Sequence, residues 1–178
     1  MLIKLFNFDK ALQAAAVLLR NGKMRYSRLL KLLYLSNRKC LQENATLIIF
    51  DRAKVLRDGP ILKTVHNIIN GKDSRSHEWN THLHTVLSVG TDSLSSFECG
   101  VLKSVHDDHF NKTDIELTNF VNSLTECKVH EMKFSAFPLK NSWNIPLRCI
   151  VESVSQEIKD VNLYNNVKKK LNGMMLYN

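Results

Sequence analysis

The residues best suited to acid–base or metal chemistry in this sequence are its seven histidines. His77, His82 and His84 gather around Trp79. His106-Asp107-Asp108-His109 reads HDDH, and His106 and His109 are spaced to face the same way on a helix. A metal site wants several nitrogen or carboxylate ligands on one side of an element. His106, Asp107 and His109 are therefore candidate ligands of a metal-dependent hydrolase. Such an enzyme needs further ligand helices, and no histidines stand at matching places. Position near a helix C-terminus, where a cationic imidazole is welcome, explains the pair more cheaply. No metal and no cofactor is expected.

Other chemistries leave less trace. There is no G-x-S-x-G, no P-loop and no G-x-G-x-x-G, and glycine is scarce. Cys40, Cys99, Cys127 and Cys149 are widely spaced with no C-x-x-C pair, which disfavours a zinc knuckle and a redox motif. They read as reduced thiols that behave as small apolar groups, Cys40 and Cys127 as buried ones. No catalytic constellation is visible.

The net charge of +8 is unevenly spread. Between Asp9 and Glu43 there is no acid, yet Lys10, Arg20, Lys23, Arg25, Arg28, Lys31, Arg38 and Lys39 all fall there. Lys168-Lys169-Lys170 is a second cluster. Such a face could meet phosphate, which makes a nucleic-acid-binding regulator the alternative function, or an acidic protein. The plainer reading is a solvated surface.

The elements that must position these residues centre on Tyr26 to Pro60. Tyr26, Leu29, Leu30, Leu33, Cys40 and Leu41 form one stripe at helical period, and Ser27, Arg28, Lys31, Arg38 and Lys39 fill the opposite face. Leu32 and Leu35 widen the apolar arc, which predicts a core helix buried on more than one side. Ser27 is its expected N-cap. Asn7 to Asn21 reads as a first helix, capped by Asn7 or Asp9 and ended by Asn21-Gly22. Leu47 to Leu56 reads as extended, and Pro60 as the first turn of a helix over Ile61 to Ile69. Thr81 to Val89 alternates enough for a short strand. Ser95 to Glu98 is a capping box, and Thr113 caps the next helix, with Ile115, Leu117, Phe120, Val121 and Leu124 inward. Ile145-Pro146 opens a helix over Leu147 to Ile158, followed by Val161 to Leu171.

The expected fold is mainly α: a compact single-domain helical bundle with one or two short β-strands. No stretch reaches the ~20 apolar residues of a membrane span. The first ten residues lack the apolar core of a signal peptide. A cytoplasmic location without membrane contact is expected.

The leucine helix KLLYLSNRKCL (Lys31 to Leu41), the Asp51-Arg52 pair, and Gly59-Pro60 before a helix with an aromatic-sized residue at His66 carry a resemblance. Over Tyr26 to Ile69 the sequence resembles the Panacea domain, also called the SocA-like antitoxin or phage-associated GepA family. FNFDKALQAAAVLL is similar to that family's first helix, Trp79 to a tryptophan after its polar insert, and Leu94 to Val105 with the helix from Thr113 to its later helix pair. The chain departs from the pattern at Phe50, where a glycine is usual, at Asn37 in place of aspartate, and at His66 in place of tyrosine. The resemblance implies a Panacea-like helical domain over 1–160 and a basic C-terminal helix or tail over 161–178. It implies a non-enzymatic, antitoxin-like protein that neutralises a partner toxin in a toxin–antitoxin system through protein–protein interaction, or delivers a partner to a protease. Arg52, Asp51 and Arg38 are then candidate binding residues, and Leu33, Tyr34, Gly59 and Pro60 the structural motif. Asp51-Arg52 reads two ways: Asp51 pins the chain and Arg52 pairs internally, or Arg52 reaches the partner.

Overall fold

The computed structural model describes residues 5–20, 22–158 and 161–175, with side chains as far as 169. Asn21, the side chain of Lys170 and the last three residues, on which expectations above fall, lie outside the described residues.

Helix α2, Tyr26–Asn44, is the hub. Around it pack α1 (Phe8–Leu19), α5 (Ser96–His109), α6 (Asp114–Ser123), α9 (Leu147–Glu157) and α10 (Val161–Met175). Every residue from Leu29 to Arg38 is buried. Part of the predicted polar face is therefore enclosed as well as the apolar one: Lys31 and Arg38 are inside, with Ser36 and Asn37, whereas Arg28 and Lys39 are partly buried and Ser27 is exposed. Helical period gives the apolar stripe but not what covers the other side. Each leucine buried here contributes ~1.5–3 kcal/mol, enough for a few to anchor a small domain. Tyr26 departs from the stripe and is half exposed at the first turn.

The ends follow local chemistry. Asn7 Oδ1 accepts from Lys10 N at 2.9 Å and caps α1. The predicted capping box begins α5 (Ser95 with Glu98), and the predicted cap Thr113 begins α6, where Glu116 completes a second box. Ser27 does not cap α2; the helix starts two residues earlier, at Tyr26, with Arg25 at the N-cap making no side-chain cap bond. Along α6, Leu117 and Val121 turn inward and Leu124 is buried just after it, but Ile115 and Phe120 are exposed.

A three-stranded antiparallel sheet lies against this body, in the order β2-β1-β3: β1 Ala53–Leu56, β2 Gly59–Leu62 and β3 Ser142–Ile145. The predicted extended run thus resolves into two parts. Leu47 to Ile49 is buried but irregular, and only Ala53 onward is strand. Pro60 sits within β2, on the sheet's edge, where its missing N–H is tolerated; helix α3 starts later, at Lys63, and runs to Ile69. The strand expected over Thr81 to Val89 is instead helix α4, Ser76–His84, then a 3-10 turn, Val86–Ser88. Ser76 and Trp79, three apart, are buried and Leu83, four further on, is half-buried. That is helical spacing, and it overrides the two-residue alternation. Between α6 and β3 lie the short helices α7 (Thr125–Lys128) and α8 (Glu131–Ala136).

Candidate functional site

Arg38 and Tyr34 belong to a buried polar network. Arg38 is only 7% exposed and Glu126 only 2%. Arg38 Nε donates to Glu126 Oε1 at 2.9 Å, and its two terminal nitrogens donate to Glu157 at 2.8 and 2.5 Å. Nη2 also reaches Ser153 Oγ at 3.2 Å. Tyr34 OH donates to Glu126 Oε1 at 2.9 Å, and Ser153 Oγ to Glu126 Oε2 at 2.5 Å. The network ties α2 to α7 and α9. Burial would lower the Arg38 pKa, but its bonds to Glu157 and the Glu126 and Glu157 charges raise it. Burial, with the Cys127 thiol and Glu126 beside it, pushes the Tyr34 phenol well up. The guanidinium is fully engaged inside the fold.

Asn37 does a second internal job. Its Nδ2 donates to Ile49 O and its Oδ1 accepts from Ile49 N, both at 2.8 Å. One amide side chain thereby pairs an irregular segment as a neighbouring strand would.

Asp51 acts at a distance along the chain. Helix α3 has Leu62 at its N-cap position, which cannot cap. Asp51 Oδ2 instead accepts from Thr64 N at 2.7 Å and Val65 N at 3.1 Å, and Oδ1 from Thr64 Oγ1 at 2.8 Å. A carboxylate at a helix N-terminus is also favoured by the helix dipole. Arg52 points out. Among the described residues its guanidinium has no hydrogen-bond or ion-pair partner, while its backbone O accepts from Lys63 N at 2.8 Å. The structure does not bring Asp51, Arg52 and Arg38 together into one cluster of free groups.

Gly59 has φ +117°, and a Cβ there would meet Val121 Cγ2 at 2.8 Å. Arg57 and Asp58 of the hairpin turn keep negative φ, so the left-handed residue falls on Gly59. Leu33 is fully buried in the middle of α2.

The acid-free stretch finds its acids elsewhere in the fold. Lys10 pairs with Glu98 at 2.6 Å, Lys39 with Asp108 at 2.9 Å, and Arg28 with Asp114 at 3.0 Å. Arg28 also closes the C-terminal carbonyls of α5, donating to His109 O at 2.7 Å, and Arg20 donates to Val89 O. Lys31 is buried, donates weakly to Ser27 O at 3.4 Å, and lines a small hollow with Asp58 and Asp114. Burial lowers its pKa against the pull of those two carboxylates. Arg25, 83% exposed and 3.8 Å from Asp114, and Lys23 are what this run leaves for solvent.

The histidines disperse. His106 Nδ1 lies 3.1 Å from Asp107 Oδ1, and its ring packs on Phe110. The His109 ring packs on Phe120, and burial lowers its pKa. His77, His82 and His84 are exposed on α4. Among the described residues no group of three or more His, Cys, Asp or Glu converges on a point that could hold a metal ion. The cysteines are free thiols. Burial pushes Cys40 and Cys127 up to about 12, far from a reactive thiolate.

A surface around β3 escapes the sequence reading. Lys140 Nζ stands 3.7 Å from the Trp143 ring centroid, and Lys133 Nζ stands 5.5 Å from it. Phe137 meets Trp143 edge-on at 5.7 Å. Arg57 lies over Phe134 at 5.3 Å and donates to Pro138 O at 2.7 Å. Glu126, Ser153 and Glu157 were also missed. An acid between Leu124 and Cys127, both apolar, was the available sign that Glu126 is internal.

Residues 29–143 match the family described as antitoxin SocA-like, Panacea domain, which is more than half of the chain. The chain belongs to this family. The Panacea match begins in the first third of α2 and ends inside β3, so it contains most of the hub helix, Asp51 with α3, and the whole β-hairpin. No curated protein and no solved structure matches the chain.

Proposed function

We propose that this chain is a non-enzymatic antitoxin that binds a partner protein toxin through its outer surface and holds it inactive. Membership of the SocA-like, Panacea family is the observation that carries this reading. It agrees with where the polar chemistry goes. Tyr34, Arg38 and Glu126 are spent inside the fold, and both buried thiols are held protonated. Neutralisation needs only a surface complementary to the toxin. Delivery to a protease would begin with the same capture step.

Arg52 is the sequence-predicted residue that fits contact with a partner, being exposed and uncommitted among the described residues. Asp51 and Arg38 are assigned to the scaffold. The nucleic-acid alternative is the weaker one, because the N-terminal cations are largely paired internally. The metal-dependent hydrolase lacks converging ligands among the described residues. No described helix is long and apolar enough to cross a membrane, and we assign the work to the cytoplasm, where free thiols persist.

The test is complex formation with the small protein encoded by the neighbouring reading frame. The two purified proteins, mixed at micromolar concentration, should co-elute with the mass of a complex by size exclusion and light scattering. Separate elution would overturn the assignment for that pair.

A further inference from the structure

We propose that the open edge of β3, with the lysines beside it, is a docking surface for an extended, acidic segment of the partner protein. The inference rests on the toxin-binding reading and names the chemistry of the bound segment.

The register shows which backbone groups are free. β1 pairs Leu56 with Gly59 and Lys54 with Ile61 on one side, and Val55 with Trp143 and Ala53 with Ile145 on the other. One step beyond, Lys63 N donates to Arg52 O. Bonded pairs alternate in an antiparallel ladder. Arg52, Lys54 and Leu56 therefore bond toward β2, and Ala53 and Val55 toward β3. Pro60, which has no N–H to give, stands opposite Val55, in agreement. Trp143 and Ile145 consequently spend their backbone groups on β1, while Ser142 and Asn144 direct theirs away from it. No strand lies on that side among the described residues, and none of their other backbone–backbone bonds reaches Ser142 or Asn144. The opposite edge is closed: all four residues of β2 are buried, beneath α2 and α6.

Charge selects the occupant. From Lys128 to Arg148 the surface carries Lys128, Lys133, Lys140 and Arg148 against one exposed acid, Glu131. Exposed Met132, Phe137 and Leu139 supply apolar contact beside them. Main-chain pairing on an open edge suits an extended peptide, and the lysines suit carboxylates along it. Single-stranded nucleic acid would need a free ring face for stacking, but Lys140 already occupies a face of Trp143. A second copy of this chain would bring like charges together across the new pair.

The test uses the full chain and fluorescence anisotropy. The probe is a fluorescein-labelled peptide alternating glutamate and valine; the comparators are a lysine–valine peptide and single-stranded oligo-dT. The glutamate peptide should bind, less tightly as salt rises. Lys133→Glu with Lys140→Glu should weaken it by about tenfold or more. Asn144→Pro should do the same, since it removes an outward N–H without touching the β1 ladder. Both variants should keep the parent circular dichroism and melting curve. Unchanged binding by the folded variants would overturn the proposal. So would equal binding of the lysine peptide, preferred binding of oligo-dT, or a dimer that Asn144→Pro dissolves. The assay contains no toxin, so its failure leaves neutralisation standing, and failed neutralisation leaves its result intact.

Discussion

At the scale of single residues, the charged groups divide into those that hold the fold and those that face outward. Asp51 and Arg52 are neighbours with opposite fates. Asp51→Ala should cost about 1 kcal/mol through loss of the α3 cap, a fall in Tm of ~2–4 °C for a chain of this size. Arg52→Ala should change stability by less than ~0.5 kcal/mol; thermal melts of both variants check the contrast. Glu126→Ala should cost ~3–5 kcal/mol, because it removes the acceptor shared by three buried donors, Arg38 Nε, Tyr34 OH and Ser153 Oγ, at ~1–3 kcal/mol each. Acid should destabilise in two stages. Burial lowers the pKa of His66, His109 and His130 below 6.5. Each then binds fewer protons folded than unfolded, so stability is complete above pH 6.5 and drains as pH falls below it. Burial would raise the Glu98 pKa, but Lys10 and Ser95 outweigh it and hold it below 4.5. Its contribution persists above pH 4.5 and is lost beneath it. Melts from pH 7 to 5 should show the first decline, and His130→Gln should flatten it.

At the scale of elements, what could be read from sequence was what depends on neighbours along the chain. Asn7, Ser95 and Thr113 cap within three residues of themselves, and all three were legible. The leucine helix was legible as a core helix because Leu32 and Leu35 broaden its stripe. Misreadings came where a distant partner decides. Thr81 to Val89 alternates, yet Trp79 needed burial on a helix against α1. Pro60 suits a helix start, yet it is claimed by pairing with Val55. Gly59 gives an element-scale prediction with an internal control. Gly71, φ +71°, has open space around it, whereas Gly59 abuts Val121 of α6. Ala at Gly71 should cost ~1–2 kcal/mol for the left-handed backbone alone. Ala at Gly59 should cost clearly more, read from denaturant midpoints, because a Cβ there meets Val121 Cγ2 at 2.8 Å on top of the strain of φ +117°.

At the scale of the whole molecule, the fold class and family were legible but the distribution of charge was not. A run with no acid from Lys10 to Gln42 suggests a basic face in one dimension. In three dimensions Glu98, Asp108, Asp114 and Glu126 arrive from other helices and consume it. A further group of uncompensated cations lies near β3, where the sequence shows only scattered lysines among Phe134, Phe137 and Trp143. Burying the polar side of α2 leaves the outer surface as the part able to act on a partner. The most direct measurement is growth of cells expressing the neighbouring reading frame with and without this protein. The account predicts that expression of the folded protein restores growth, and that Arg52→Ala, with its fold intact, weakens the rescue. Growth inhibition that persists while the folded protein is abundant would contradict it.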